Sequence, residues 1–154
     1  ADWALHLSTL FPEGRLKKFI EIRGADCGSL EMITALAPMM RGLLYDSVAR
    51  AEATKLTASL DFAARQRLAD EVPVQGLAAR SGKHSVGELA KQLVAIARDG
   101  LARLAPASVD LLAPVEQIAE TGRTQADDMI DLWKAHGGDR RTLIRKLSHP
   151  GLGP

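Results

Sequence analysis

Arg15-Leu16-Lys17-Lys18-Phe19-Ile20-Glu21-Ile22-Arg23-Gly24-Ala25-Asp26 is the stretch on which the reading of this 154-residue chain turns. Phe19-Ile20-Glu21-Ile22 is its best strand candidate, and the rest of the chain reads as helix. Side chains alternate across a strand, so Phe19, Glu21 and Arg23 share one face and Ile20 and Ile22 the other. One face thus carries an acid and a base roughly 6–7 Å apart along the strand. Gly24 releases the chain into a turn. Two readings follow. Glu21 is a carboxylate ligand for a hard divalent cation, with Arg23 a fork-shaped donor to a carboxylate or phosphate. Or the two are a salt-bridged outer face, which spacing alone favours because surface ion pairs are common and worth little.

A lone strand cannot satisfy its own backbone hydrogen bonds. No other strong strand stands in the sequence, so residues 19–23 are expected to pair outside these residues or with a second copy. Outward from them, helices dominate. Asp2 caps a short helix over residues 3–10, which Pro12 stops. Ser29 caps a largely apolar helix over residues 30–45, where Pro38 predicts a kink costing about 3 kcal/mol. Asp46 or Ser47 opens a helix to about Thr57. Ser59 or Asp61 opens another, which ends before Val72-Pro73 because the residue before proline resists helical geometry. Residues 73–83 read as irregular. Ser85 and Glu88 form a capping box for the clearest helix, residues 86–104. Pro106 ends it. Ser108 caps the next, with Pro114 inside it and Gly122 closing it. Thr124 with Asp127 opens one that Gly137-Gly138 ends. Asp139 caps a last helix with Arg140, Arg141, Arg145 and Lys146 outside and Leu143, Ile144 and Leu147 inside.

Composition narrows the function. Hydrophobic residues make up 46% and charged residues 25%, ordinary for a globular domain. A net charge of +1 gives no global field for nucleic acid or an anionic membrane. At 4% aromatic, the chain lacks base-stacking platforms. No run of transmembrane length and no signal-peptide pattern appear. One cysteine, Cys27, excludes an internal disulfide and fits a reducing compartment, so a cytoplasmic location is expected. The chain starts with Ala, as a trimmed or processed product would.

Other candidate chemistry is thin. His6, His84, His136 and His149 are scattered, with no pair at zinc-ligand spacing. Ser81-Gly82-Lys83-His84 lacks the glycine pattern of a phosphate loop and reads as a flexible connector. The bases of residues 140–146 lack aromatic partners and read as a solvated face, against the rival of a nucleic-acid contact. Cys27 reads as a small packing residue.

His6-Leu7-Ser8-Thr9-Leu10-Phe11-Pro12-Glu13, then Arg15-Leu16-Lys17-Lys18 and Glu21-Ile22-Arg23-Gly24-Ala25-Asp26, resemble the signature of plant and proteobacterial glutamate–cysteine ligases. The resemblance continues through Ala35-Leu36-Ala37-Pro38, Gly42-Leu43-Leu44-Tyr45-Asp46, Val72-Pro73, Gly76-Leu77 and Ala97-Arg98-Asp99-Gly100-Leu101. The first block is long and specific, the later ones short. Gly14 departs from it, since valine is expected there.

The resemblance implies an enzyme that joins the γ-carboxyl of L-glutamate to the amine of L-cysteine with ATP and Mg²⁺. The γ-carboxylate is first phosphorylated, and the amine then displaces phosphate. It also implies the catalytic sheet of glutamine synthetases. There, Glu21 matches a Mg²⁺ ligand, and Arg23 a catalytic and substrate-binding contact to the glutamate or its acyl phosphate. The chain then corresponds to the C-terminal portion of a larger α+β ligase, itself mainly α with one or two strands near its start. Residues 1–28 would be the edge of the catalytic sheet and 29–154 a helical region, together one incomplete domain. The nucleotide contacts would lie upstream. Inactivity of the segment alone and self-association through its exposed sheet face are expected, with no nucleic-acid or membrane partner. The alternative is a free-standing helical interaction module without catalysis, its strand pairing between protomers.

Overall fold

In the computed structural model, residues 2, 3, 6, 14–25 and 28–148 are described. A β-hairpin comes first. β1 (Gly14–Leu16) pairs antiparallel with β2 (Ile20–Ile22), in the register Gly14 to Ile22, Arg15 to Glu21 and Leu16 to Ile20. The Lys17 N–H donates to the Phe19 carbonyl at 2.8 Å and closes the turn. The strand's partner therefore lies within the chain, just upstream, and not outside it. A three-residue strand is too short for alternation to show, and Arg15-Leu16 has no β-branched residue to mark it. Phe19, expected in the strand, belongs to the turn. Leu16, Ile20 and Ile22 form an apolar face that remains exposed. Among the described residues the hairpin makes no substantial packing contact with a helix. Asp2, Trp3 and His6 are helical, and the Trp3 and His6 rings lie 5.7 Å apart. The remainder of the expected first helix, Asp26, Cys27 and His149 lie outside the described residues.

The core is a crossing of two helices. α1 (Leu30–Tyr45) starts where the Ser29 hydroxyl accepts the Met32 N–H at 3.3 Å, and it runs on through Pro38. α2 (Ser47–Thr57) follows, capped by Asp46 through the Ala49 N–H at 2.8 Å. α4 (Val86–Leu104) packs against both. Its contact with α1 is backbone to backbone. A Cβ on Gly42 would stand 2.1 Å from the Ala97 carbonyl oxygen, and one on Gly100 2.1 Å from that of Gly42. Ala35, Ala49, Ala97 and Leu101 fill the space around the crossing and are almost wholly buried. Small residues let the axes close until carbonyls touch the facing chain. Leu101, with no exposed surface, contributes about 1.5–3 kcal/mol of burial.

In sequence between α2 and α4 comes α3 (Phe62–Gln75), capped by Asp61 through the Ala64 N–H at 2.7 Å. It does not stop before Val72-Pro73 as expected. Pro73 falls in its last turn, where it removes a single hydrogen bond, and the Gly76 N–H closes the helix on the Val72 carbonyl. A 3₁₀ turn (Gly76–Ala78) leads to a second hairpin, β3 (Arg80–Ser81) with β4 (His84–Ser85). The stretch read as irregular is thus ordered. Gly82, at φ 59°, supplies the glycine-first turn between strands too short to carry periodicity. Arg67 of α3 donates from Nε to the buried Ser81 hydroxyl at 3.0 Å and ties that hairpin down.

After α4 the chain winds as 3₁₀ over Pro106–Leu112, and α5 (Ala113–Thr121) begins beside Pro114. Ser108 is therefore not the cap, and Pro114 is not interior. A proline near a helix start loses no needed N–H, so the α-helix begins there. Gly122, at φ 71°, ends α5. α6 (Gln125–Ala135) and α7 (Arg140–Leu147) complete the fold. At the head of α6 Thr124 donates both its N–H and its hydroxyl to Asp127 Oδ2, and Asp139 caps α7. α7 has no buried residue, and Ile144 and Leu147, expected inside, are exposed. Among the described elements its substantial packing is with α6, too small a neighbour to cover it. No helix is long and apolar enough to cross a membrane among the described residues.

Candidate functional site

The hairpin register sets the candidate site. Arg15 stands directly across the ladder from Glu21, and Arg23 lies two residues on along the same face. Arg15 approaches Glu21 Oε2 with two nitrogens, Nε at 2.9 Å and Nη2 at 2.8 Å. Lys17 Nζ reaches the same oxygen at 3.4 Å, and Arg23 Nη1 lies 3.4 Å from Oε1. Three cations therefore surround one half-buried carboxylate. The hydrogen bond from Arg15 is the main reason the Glu21 carboxyl lies below its ordinary range. Desolvation opposes that shift, and the charges of Arg15 and Lys17 add to it.

The arrangement brings Glu21 and Arg23 together as their spacing predicts. It adds Arg15 and Lys17, which sequence reasoning quoted without assigning. Their signal was the turn itself: folding the stretch back at Lys18 superposes position 15 on position 21. Phe19 leaves the shared face, and the Lys17 ammonium sits 5.9 Å from its ring centre.

A metal ion is a stricter test. Among the described residues no three His, Cys, Asp or Glu side chains converge on a metal position. Mg²⁺ is commonly held by one or two carboxylates together with substrate phosphates. Glu21 fits as one ligand of a shared site and not as a site on its own. Arginine forks are suited to a carboxylate or phosphoryl group.

A cleft among the described residues lies elsewhere. It measures about 460 Å³ and is lined by the starts of α1 and α6 and by α5, including Ser29, Gln117, Arg123 and Asp128. Arg123 there is paired with Asp128 at 2.7 Å and Asp131 at 2.8 Å. Neither Glu21 nor Arg23 borders this cleft. His6, His84 and His136 do not line it, and the His136 Nδ1 contacts the Leu132 carbonyl at 3.0 Å. Arg140, Arg141, Arg145 and Lys146 are all exposed on α7.

Comparison with known proteins gives a single answer. The model of a family described as "Glutamate-cysteine ligase family 2" matches residues 1–146. The chain is 36% identical over 137 residues to a chloroplastic glutamate–cysteine ligase of Brassica juncea, covering 89% of this chain and 27% of that one. The corresponding protein of Arabidopsis thaliana is 35% identical and that of Nicotiana tabacum 33%, each match covering 89% of this chain and 26% of the relative. The chain thus spans about a quarter of the length of the curated relatives it matches. Their names overturn the expected cytoplasmic location, since each is called chloroplastic. A low cysteine count reports a reducing environment, not which compartment supplies it.

Proposed function

Because this chain belongs to glutamate–cysteine ligase family 2, we propose that it forms one wall of the active site of an ATP-dependent ligase. The whole enzyme joins L-glutamate to L-cysteine as γ-glutamylcysteine through a γ-glutamyl phosphate. What supports this reading is the cluster at the first hairpin, where Arg23, Arg15 and Lys17 all reach the carboxylate of Glu21.

In this reading Arg23 binds the glutamate or its acyl phosphate. Its 3.4 Å contact with Glu21 is long, so the guanidinium exchanges it readily for a phosphoryl or carboxylate oxygen. Glu21, kept ionised by its neighbours, contributes one carboxylate to a Mg²⁺ whose other ligands lie on the rest of the protein. When bound, that ion supplies charge neutralisation at the transferred phosphoryl group. Arg15, Lys17 and Arg23 offset the charge that glutamate and phosphate bring together. The competing reading, a free-standing interaction module, drew on an unpaired strand, and β1 now pairs that strand.

The test uses the full-length ligase with glutamate, cysteine, ATP and Mg²⁺. Arg23→Ala is expected to lower kcat/KM at least about 100-fold. Glu21→Gln is expected to do the same and to raise the Mg²⁺ requirement. The 154 residues alone are expected to form no product. Near-normal turnover by both variants, or product from the isolated chain, would sink the reading.

A further inference from the structure

Arg15 has the closest hold on Glu21, and so far only its charge has been given a role. It lies in β1, and Glu21 is its cross-strand partner. Two contacts from its guanidinium, at 2.8 and 2.9 Å, go to Oε2. Lys17 adds a longer contact to that oxygen at 3.4 Å. Arg23 instead meets Oε1, also at 3.4 Å. The carboxylate is therefore held unevenly. One oxygen is fixed by a planar fork from the neighbouring strand, and the other faces Arg23 through a contact long enough to be exchanged. A fork anchored in a paired strand fixes the carboxylate's direction. The flexible Lys17 side chain, nearly half exposed, adds charge without direction.

We infer that Arg15 is a positioning residue that acts through Glu21. It fixes Oε2 from across the hairpin and so turns Oε1 toward the ligand side of the strand, where Arg23 also points. The inference rests on the hairpin being a wall of the ligase site. Orienting partners of this kind commonly cost about 10–100-fold in affinity or activity when removed.

The experiment uses the full-length ligase and four variants: Arg15→Gln, Arg15→Lys, Glu21→Gln and the double variant Arg15→Gln/Glu21→Gln. Two quantities are measured. One is kcat with the KM for glutamate. The other is the affinity for Mg²⁺ alone, from calorimetry of the substrate-free enzyme. Arg15→Gln is expected to lower kcat about 10–100-fold while moving the glutamate KM less than threefold, and to weaken Mg²⁺ about tenfold. Arg15→Lys, which keeps the charge and loses the fork, is expected to recover only part of either loss. The double variant is expected to match Glu21→Gln alone, because a residue acting through another adds nothing once that other is gone. An Arg15 effect that adds in full to that of Glu21→Gln overturns the inference. So does a folded Arg15→Gln enzyme with unchanged kcat and Mg²⁺ affinity beside an impaired Glu21→Gln. Unimpaired Glu21→Gln instead removes the reading of the hairpin as a catalytic wall, a separate failure. Circular dichroism and melting of each variant separate loss of folding from all of these outcomes.

Discussion

Asp46 serves two elements with one carboxylate. Oδ1 accepts the Ala49 N–H at 2.8 Å at the head of α2 and Arg103 Nη2 at 2.7 Å. Oδ2 accepts Arg103 Nε from the end of α4 at 3.0 Å. The hydrogen bonds from Arg103 first, then the cap, hold its pKa at about 2, below the usual 3.8. A depressed carboxylate pKa stabilises the fold above the unfolded value and loses that contribution as pH falls through the folded one. Asp46 therefore supports the fold fully above about pH 4 and ceases to do so as pH approaches 2. Acid unfolding of Asp46→Asn should be correspondingly shallower between those limits. At neutral pH Asp46→Asn keeps a capping oxygen and loses the charge, whereas Asp46→Ala loses both. The alanine variant should melt about 2–4 °C below wild type and the asparagine variant less, by calorimetry. Equal melting of all three would remove the clamp from the account. The cap was legible in the sequence, because Asp followed by a helical pattern is a local signal. The clamp was not, because Arg103 is far along the chain and only the fold brings it near. The same limit hid Arg15: Glu21 and Arg23 are legible as neighbours on one strand, but their cross-strand base appears only once the register is known.

Helix boundaries came through well where a cap wrote them. Ser29, Asp61, Ser85 and Asp139 each start the helix their sequence position foretold. Hairpins came through poorly, because strands of two or three residues leave no periodicity to read. Prolines misled in both directions, since Pro73 ends nothing and Pro114 begins a helix instead of bending one. The crossing of α1 and α4 carries a sharper expectation. Gly100→Ala would drive a methyl into the Gly42 carbonyl oxygen, and backbone cannot swing aside as a side chain does. The loss should be at least about 3 kcal/mol in urea unfolding, above the usual range for overpacking. Gly14→Ala, where nothing lies within 4 Å, is the control and should change stability by less than about 0.5 kcal/mol. A mild effect at Gly100 would mean the helices part at little cost.

Over the whole molecule, exposed apolar side chains are spread along the described chain, its two ends included. Leu16 and Ile20 stand 82% and 73% exposed on the first hairpin, and Ile144 and Leu147 lie open on the last helix. Faces of this kind are covered in a working protein. For the isolated chain we expect self-association through the hairpin face, seen as concentration-dependent sedimentation. The pair Leu16→Lys and Ile20→Lys should abolish it without lowering the melting temperature, because both side chains already face water. A clean monomer at high concentration would contradict this. The helical core, by contrast, is closed by its own residues. At its centre, Gly42 and Gly100 obstruct each other through main-chain atoms, which every amino acid carries alike. No swap of side chains elsewhere can make room there. For a lineage carrying this fold, surface codons are free to drift, while these two offer almost no mutational exit, singly or together.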